Sequence, residues 1–245
     1  MNLIFLEPLD QFEVIYLGTI KGYTVNNFIL YMFFGYIIFR FFFKLSLYKR
    51  YLVPHNWQYV AEFFFSFILS MVKQQIGKKG FNFLPLVFTL FIFLFVSNLL
   101  GMTIYSFTIT SHIILTFSLS SSIFIGIIIT GFLVHGWRFI YIFVPGNAPK
   151  ALLPLLIFIE IVSFFSRPFS LAIRLFANMM SGHTLLAILS NFTLIISQNY
   201  FFTSIIPFLL ITVIVGLELM IAGLQAYVFS VLICIYINDS LEGGH

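Results

Sequence analysis

The chain has 245 residues, of which 61% are hydrophobic, 20% aromatic and only 8% charged, with a mean hydropathy of +1.08. The apolar share is far above, and the charged share far below, those of a soluble domain, so the chain reads as a polytopic membrane protein. The 12 Lys and Arg against 8 Asp and Glu leave a net charge of +4. In a membrane chain such a surplus reports loop orientation, and a nucleic-acid-binding reading is excluded.

In chain order, residues 1–27 form an N-terminal segment carrying Glu7, Asp10 and Glu13 and no Arg, which fits neither a basic secretory signal nor an Arg-rich transit peptide. Residues 28–54 hold a first transmembrane helix and a basic loop: Phe28 to Phe39 is apolar, and Arg40 and Lys44 follow one turn apart, placed to snorkel to headgroups. Residues 55–80 predict an amphipathic helix. Gln58, Glu62, Ser66 and Ser70 recur every fourth residue, Lys73 continues their stripe, and apolar residues fill the rest. Such a segment suits the membrane interface.

Residues 81–136 read as a transmembrane hairpin, Phe81 to Leu100 and His112 to Val134, joined by a polar turn. Lys44, Lys49, Arg50, Lys73, Lys78 and Lys79 fall before this hairpin, and Arg138 follows it in the 137–150 loop, with Lys150 at its end. The positive-inside rule then puts both loops on one side and starts the chain on the other. Residues 151–245 differ. Ala151 to Ser197 is nearly continuous helix, about 70 Å at the α-helical rise and roughly twice the hydrocarbon thickness, and Tyr200 to Asn238 is similarly overlong. Either each is broken, at Pro168 and Pro207, or each is a steeply tilted helix. The lone Cys234 lies in an apolar run as a packing residue.

From Ala151 to Asn238 the only formal charges are Glu160, Arg167, Arg174 and Glu218, joined by His183. A central cation or acid costs roughly 2.5–3.5 kcal/mol on the insertion scale, so each needs a partner or a task. Arg167 suits a paired or snorkelling structural charge. Arg174 has no acid within two turns and is assigned a function. An antiparallel hairpin turning near Gln198 to Tyr200 would set Arg174 opposite Gln225, His183 opposite Glu218 and Glu160 opposite Asp239, a hydrated track across two apolar helices. Asn178 shares a helical face with Arg174, and Gln225 shares one with Glu218. His183 is half a turn out of phase with Arg174. An arginine keeps its proton, whereas His183 and Glu218 can take and release one. A fixed cation beside titratable groups is the pattern of proton transfer with a blocked leak. His55, His112 and His135 read as capping or headgroup-contacting residues, and Glu62 and Asp239 as water-facing.

The run Arg174-Leu-Phe-Ala-Asn-Met-Met-Ser-Gly-His183, with Glu160 upstream and Glu218-x6-Gln225 downstream, resembles subunit a of the F-type ATP synthase. The likeness extends to Pro8-Leu-Asp-Gln-Phe-Glu13, Asn98-Leu-Leu-Gly-Met, Tyr105-Ser-Phe-Thr-x-Thr-Ser-His112 and Ile235-Tyr-Ile-Asn-Asp239. The resemblance implies an all-α stator subunit of the Fo sector whose two long tilted helices form a hairpin against a rotor ring of c subunits. Arg174 would face the ring's carboxylate, and Asn178 and Gln225 would support it. His183 and Glu218 would line an inlet half-channel and Glu160 an outlet half-channel, offset so that protons pass only by riding the ring.

The implied partners are the c-subunit ring, peripheral-stalk and other Fo subunits and membrane lipids, with protons as the transported ion; no cofactor, metal or nucleic acid is expected. Nucleotide catalysis would lie in other subunits, since the chain has no nucleotide-binding motif. Many bacterial members carry an acid where His183 stands and a histidine where Glu218 stands. The swapped arrangement is that of mitochondrial and some alphaproteobacterial members, so the resemblance implies the mitochondrial inner membrane, with a bacterial plasma membrane as the alternative. A haem or quinone subunit would need regularly paired histidines, and a secondary transporter repeated halves; neither pattern is visible.

Overall fold

A computed structural model describes residues 12–20, 23–47, 54–102, 108–137, 139, 152–199 and 202–242. The first residues of the Pro8 motif, Tyr105 to Phe107, Tyr200 and the loop cations Lys49, Arg50, Arg138 and Lys150 lie outside them. Six helices carry the fold: α1 (Asn27–Leu47), α2 (Asn56–Ile76), α3 (Leu84–Gly101), α4 (Ile113–His135), α5 (Leu153–Asn199) and α6 (Ile205–Glu242). All but α2 are long and apolar enough to cross a membrane, five spans among the described residues. The chain is an all-α polytopic membrane protein.

One small element was not legible in the pattern. Strands β1 (Tyr16–Ile20) and β2 (Tyr23–Asn26) form an antiparallel hairpin, with a register irregularity between Tyr16 and Gly18. Gly18 has φ +153°, a backbone conformation that side-chain-bearing residues rarely adopt. Asn27 ties the hairpin to α1: its backbone N–H donates to Ile15 O at 3.2 Å, its Nδ2 to Glu13 O at 3.0 Å, and its Oδ1 accepts from Phe28 N at 2.9 Å.

The starts of the helices follow proline chemistry. Pro85 and Pro154 are the second residues of α3 and α5, and Pro207 is the third of α6. A proline in the first turn gives up an N–H that has no intrahelical acceptor, so helix formation is not opposed. Pro168 is different because it lies inside α5, yet the helix runs through it. The alternative of two segments broken at Pro168 and Pro207 therefore does not hold. The 47 residues of α5 and 38 of α6 correspond to about 70 Å and 57 Å of helix. Against a hydrocarbon core of about 30 Å, a continuous helix of either length must incline strongly or emerge from the bilayer.

Two compact units divide the chain: 1–42, 93–112 and 175–226 form the first, and 43–92, 113–174 and 227–245 the second. In the first, Asn98 on α3 is fully buried and donates from Nδ2 to Ala222 O on α6 at 3.2 Å. His112 meets Phe28 edge-on at 5.8 Å between ring centroids, and burial holds its imidazole below the usual range. Its imidazole is thus packed against α1.

In the second unit, α2 turns Ile68, Met71, Val72 and Ile76 inward, the i, i+3, i+4, i+8 spacing of one helical face. Phe64 and Phe67 pack on Phe91 of α3 at 6.2 and 6.0 Å. Glu62, Ser66, Ser70 and Lys73 face outward, and Glu62 accepts a 2.8 Å hydrogen bond from Gln58 Nε2. His55 precedes α2 and makes no side-chain cap. His135 instead reaches Leu241 O near the end of α6 at 3.0 Å, satisfying a carbonyl that has no intrahelical donor. On α4, Phe117 and Phe124 pack on Phe169 and Phe164 of α5 at 4.9 and 4.7 Å.

Between these aromatic pairs the buried Ser120 donates from Oγ to Pro168 O at 2.8 Å, a hydrogen bond between helices formed without competition from water. Ser120→Ala removes it at a cost of about 0.5–1.5 kcal/mol. The expected result is a thermal midpoint lowered by a few degrees for the purified protein, with helix content unchanged.

Candidate functional site

Each polar side chain on the long helices is placed by helical phase. On α5, Arg174 is exposed, with Ser170 and Asn178 one turn to either side of it on the same helical face. It makes no hydrogen bond or ion pair among the described residues. A guanidinium on a membrane helix is costly in hydrocarbon unless an anion or a polar group meets it, and among the described residues none forms an ion pair with Arg174.

One turn along α5, the half-buried Asn178 donates from Nδ2 to Gln225 Oε1 of α6 at 3.0 Å. Gln225 is itself 5% exposed. The sequence placed Arg174 opposite Gln225; the residue that occupies that position is Asn178. The reason is the four-residue spacing, which lets either residue of one α5 face serve as the partner of a given α6 position. This pair satisfies two amides that would otherwise be costly in hydrocarbon.

Nine residues beyond Arg174, on a different face, His183 lies with Nε2 3.5 Å from Glu218 Oε1. Glu218 is buried at 4% exposure. Neither carboxylate oxygen, nor His183 Nε2, has a hydrogen-bond partner among the described residues. The pair is close enough to exchange a proton through one small movement or one water, and it is not locked into a structural network. Phe12, held near by the Asn27 ties to Glu13 and Ile15, sets its ring edge-on to the His183 imidazole at 6.4 Å between centroids.

The approach of Glu218 to α5 depends on a residue that the sequence reading passed over. A Cβ at Gly182 would stand 2.7 Å from Glu218 Oε1 and 3.1 Å from its Cδ, well inside van der Waals contact. Gly182 is thus the notch into which the carboxylate fits. The signal was available: a glycine inside a helix costs about 1 kcal/mol relative to alanine, and this one directly precedes His183.

Glu160 is brought to another partner. The expected Glu160–Asp239 facing pair is bridged by Arg167, whose Nη1 donates to Asp239 Oδ2 at 3.1 Å while its Nη2 lies 3.9 Å from Glu160 Oε1. Two acids in apolar surroundings repel each other, and a cation between them removes that cost. Arg167 is the paired charge that its position suggested. Asp239, read from sequence as facing water, is partly exposed but ion-paired. Among the described residues there is no cluster of three or more His, Cys, Asp or Glu able to hold a metal ion.

The arrangement is therefore a buried acid–imidazole pair, an amide pair, a three-charge cluster and an outward-facing arginine, distributed along two membrane helices. Such groups can pass and hold protons and stabilise an incoming anion; they offer no activated nucleophile. The profile of the ATP synthase A chain family matches residues 28–238. The chain is 44% identical to ATP synthase subunit a of Chondrus crispus, covering 98% of each chain. It is 42% identical to that of Acanthamoeba castellanii, with 99% of this chain and 100% of the relative covered. To that of Parvibaculum lavamentivorans it is 40% identical, over 98% of this chain and 95% of the relative. With near-complete coverage on both sides and a profile match spanning α1 to α6, the chain belongs to the ATP synthase subunit a family.

Proposed function

We propose that this chain is the proton-translocating stator subunit of an ATP synthase Fo sector, working against a ring of c subunits through two offset half-channels. The observation that carries this reading is Arg174: a permanent cation, exposed on a membrane helix and in no ion pair among the described residues. A carboxylate carried past it by a rotating neighbour would supply the missing anion.

The steps follow from the chemistry of the groups. A proton arriving from one aqueous side is taken by the His183–Glu218 pair, 3.5 Å apart in a buried position, and is passed to a ring carboxylate. That carboxyl, now neutral, can move through lipid at little cost. After rotation it approaches the outlet, loses its proton toward Glu160, and returns as a carboxylate to the field of Arg174, which favours its charged form. Because arginine does not release its proton, Arg174 cannot pass protons directly from inlet to outlet. The Asn178–Gln225 hydrogen bond fixes the side chains one turn from Arg174 and limits their wandering into its place. The chain makes no nucleotide chemistry of its own in this scheme; rotation drives ATP synthesis in other subunits. The order of imidazole and acid at His183 and Glu218 supports the mitochondrial inner membrane as its location.

Arg174→Ala is expected to abolish coupled ATP synthesis while permitting proton leak or ring slippage, measured as ATP synthesis rate and passive proton conductance of energised membranes. Normal synthesis would overturn the gate. His183→Ala and Glu218→Ala are each expected to slow proton uptake by at least tenfold, with the double variant little worse than the worse single one, since both act in one path. Multiplicative losses in a stopped-flow pumping assay would show separate paths. Gly182→Ala should push the Glu218 carboxylate off α5 and cut ATP-driven proton pumping severalfold in fully assembled complex; unchanged pumping would remove the notch from the mechanism.

A further inference from the structure

The three-charge cluster on the other unit is unequal in a way that assigns its members different tasks. Arg167 is flanked by aromatic rings. Its guanidinium carbon lies 5.0 Å from the Tyr236 ring centroid and 5.6 Å from that of Phe164, so an aromatic ring from each of two helices supports the cation. The two carboxylates are reached differently. Asp239 accepts a hydrogen bond at 3.1 Å, within the range of a charge-assisted bond that carries both energy and direction. Glu160 stands at 3.9 Å, near enough to feel the charge and beyond hydrogen-bonding distance.

The spacing along each helix produces this division. Glu160 is seven residues before Arg167, two turns away on the same face, so its carboxylate can lean toward the guanidinium but is not drawn onto it. Asp239 comes from the facing helix, three residues after Tyr236, so the helix that brings a ring against the guanidinium also brings the carboxylate that accepts its hydrogen bond. The other charged or titratable groups near this end are Arg174, whose charge reaches Tyr236, and His135, which is occupied by Leu241 O. Neither makes a hydrogen bond or ion pair with Glu160 among the described residues.

We propose that Arg167 is a positioning residue that holds Asp239 as its fixed counter-ion and so leaves Glu160 as the one carboxylate of the cluster that exchanges protons at the outlet. This rests on the reading of Glu160 as an outlet group. Asp239 completes the charge balance of the stack, and the proton moves reversibly between Glu160 and water without crossing to Asp239. One cation shared by two acids leaves a single negative charge, and the acid held more loosely is the one that can accept a proton without breaking a directed bond.

The test uses the assembled ATP synthase with variants of this chain, its content checked in the membrane, and reads the rate of ATP synthesis together with ATP-driven proton pumping. Asp239→Asn keeps an oxygen for the Arg167 N–H and is expected to retain at least half the rate, whereas Glu160→Gln is expected to lose at least tenfold. Arg167→Gln, which leaves two acids without their cation, should lose severalfold. Adding Asp239→Asn to Arg167→Gln should restore much of that loss, while adding Glu160→Gln should not; a purely structural clamp would give no such selective rescue. Equal losses for Asp239→Asn and Glu160→Gln, or no rescue by Asp239→Asn, overturn the division of labour while leaving the outlet role of Glu160 standing. A normal rate for Glu160→Gln overturns the outlet reading itself, and the division with it.

Discussion

A single electrostatic constraint organises this molecule: charge is expensive in hydrocarbon, and a guanidinium cannot escape that cost by losing its proton. Carboxylates and imidazoles in a membrane can become neutral; Arg174 cannot. On α5 and α6 Arg167 lies beside Asp239 and Glu160, and His183 beside Glu218. Arg174, exposed on α5, makes no ion pair among the described residues. That asymmetry is the observation on which the proposed role against a neighbouring chain rests.

The remaining architecture supplies positions for this chemistry. Long, uninterrupted helices allow one segment to carry several polar groups at different depths, and α5 carries Glu160, Arg167, Arg174, Asn178 and His183 on one rod. Close helix approach is secured by small groups and hydroxyls at few places: Gly182 admits a carboxylate, Ser120 bonds the carbonyl of Pro168, and Asn98 bonds that of Ala222. In a bilayer, where apolar surface gains nothing by leaving lipid, such packing and hydrogen bonding hold helices together. Aromatic contacts do comparable work around α2, α3 and α4, where phenylalanines pack in tilted or edge-on pairs at 4.7–6.2 Å.

Much of this was legible along the chain because helix period and hydropathy are local properties. The amphipathic stripe of α2 and the spans from α1 to α6 follow from residue order alone, as does the face shared by Arg174 and Asn178. The His183–Glu218 pairing was also readable, since an antiparallel hairpin restricts which residues can meet. Less was legible where a choice lies within one helical turn. Gln225 could have faced Arg174 or Asn178, and a shift of four residues keeps the same face while changing the partner. Gly182 was overlooked because its importance lies in the space it leaves for Glu218, and periodicity carries no information about that space.

Sequence by itself determined the class of molecule, its membrane helices, and the short inventory of charged and titratable groups on the two long ones, since each depends on composition and on neighbours a few residues away. Tertiary structure decided the partners: Asn178 for Gln225, Arg167 for both Asp239 and Glu160, Gly182 for Glu218, and none within the described chain for Arg174. It also decided that α5 continues through Pro168. These outcomes depend on register and rotation between helices, which differ by a few ångströms and leave no mark on the order of residues within any one of them.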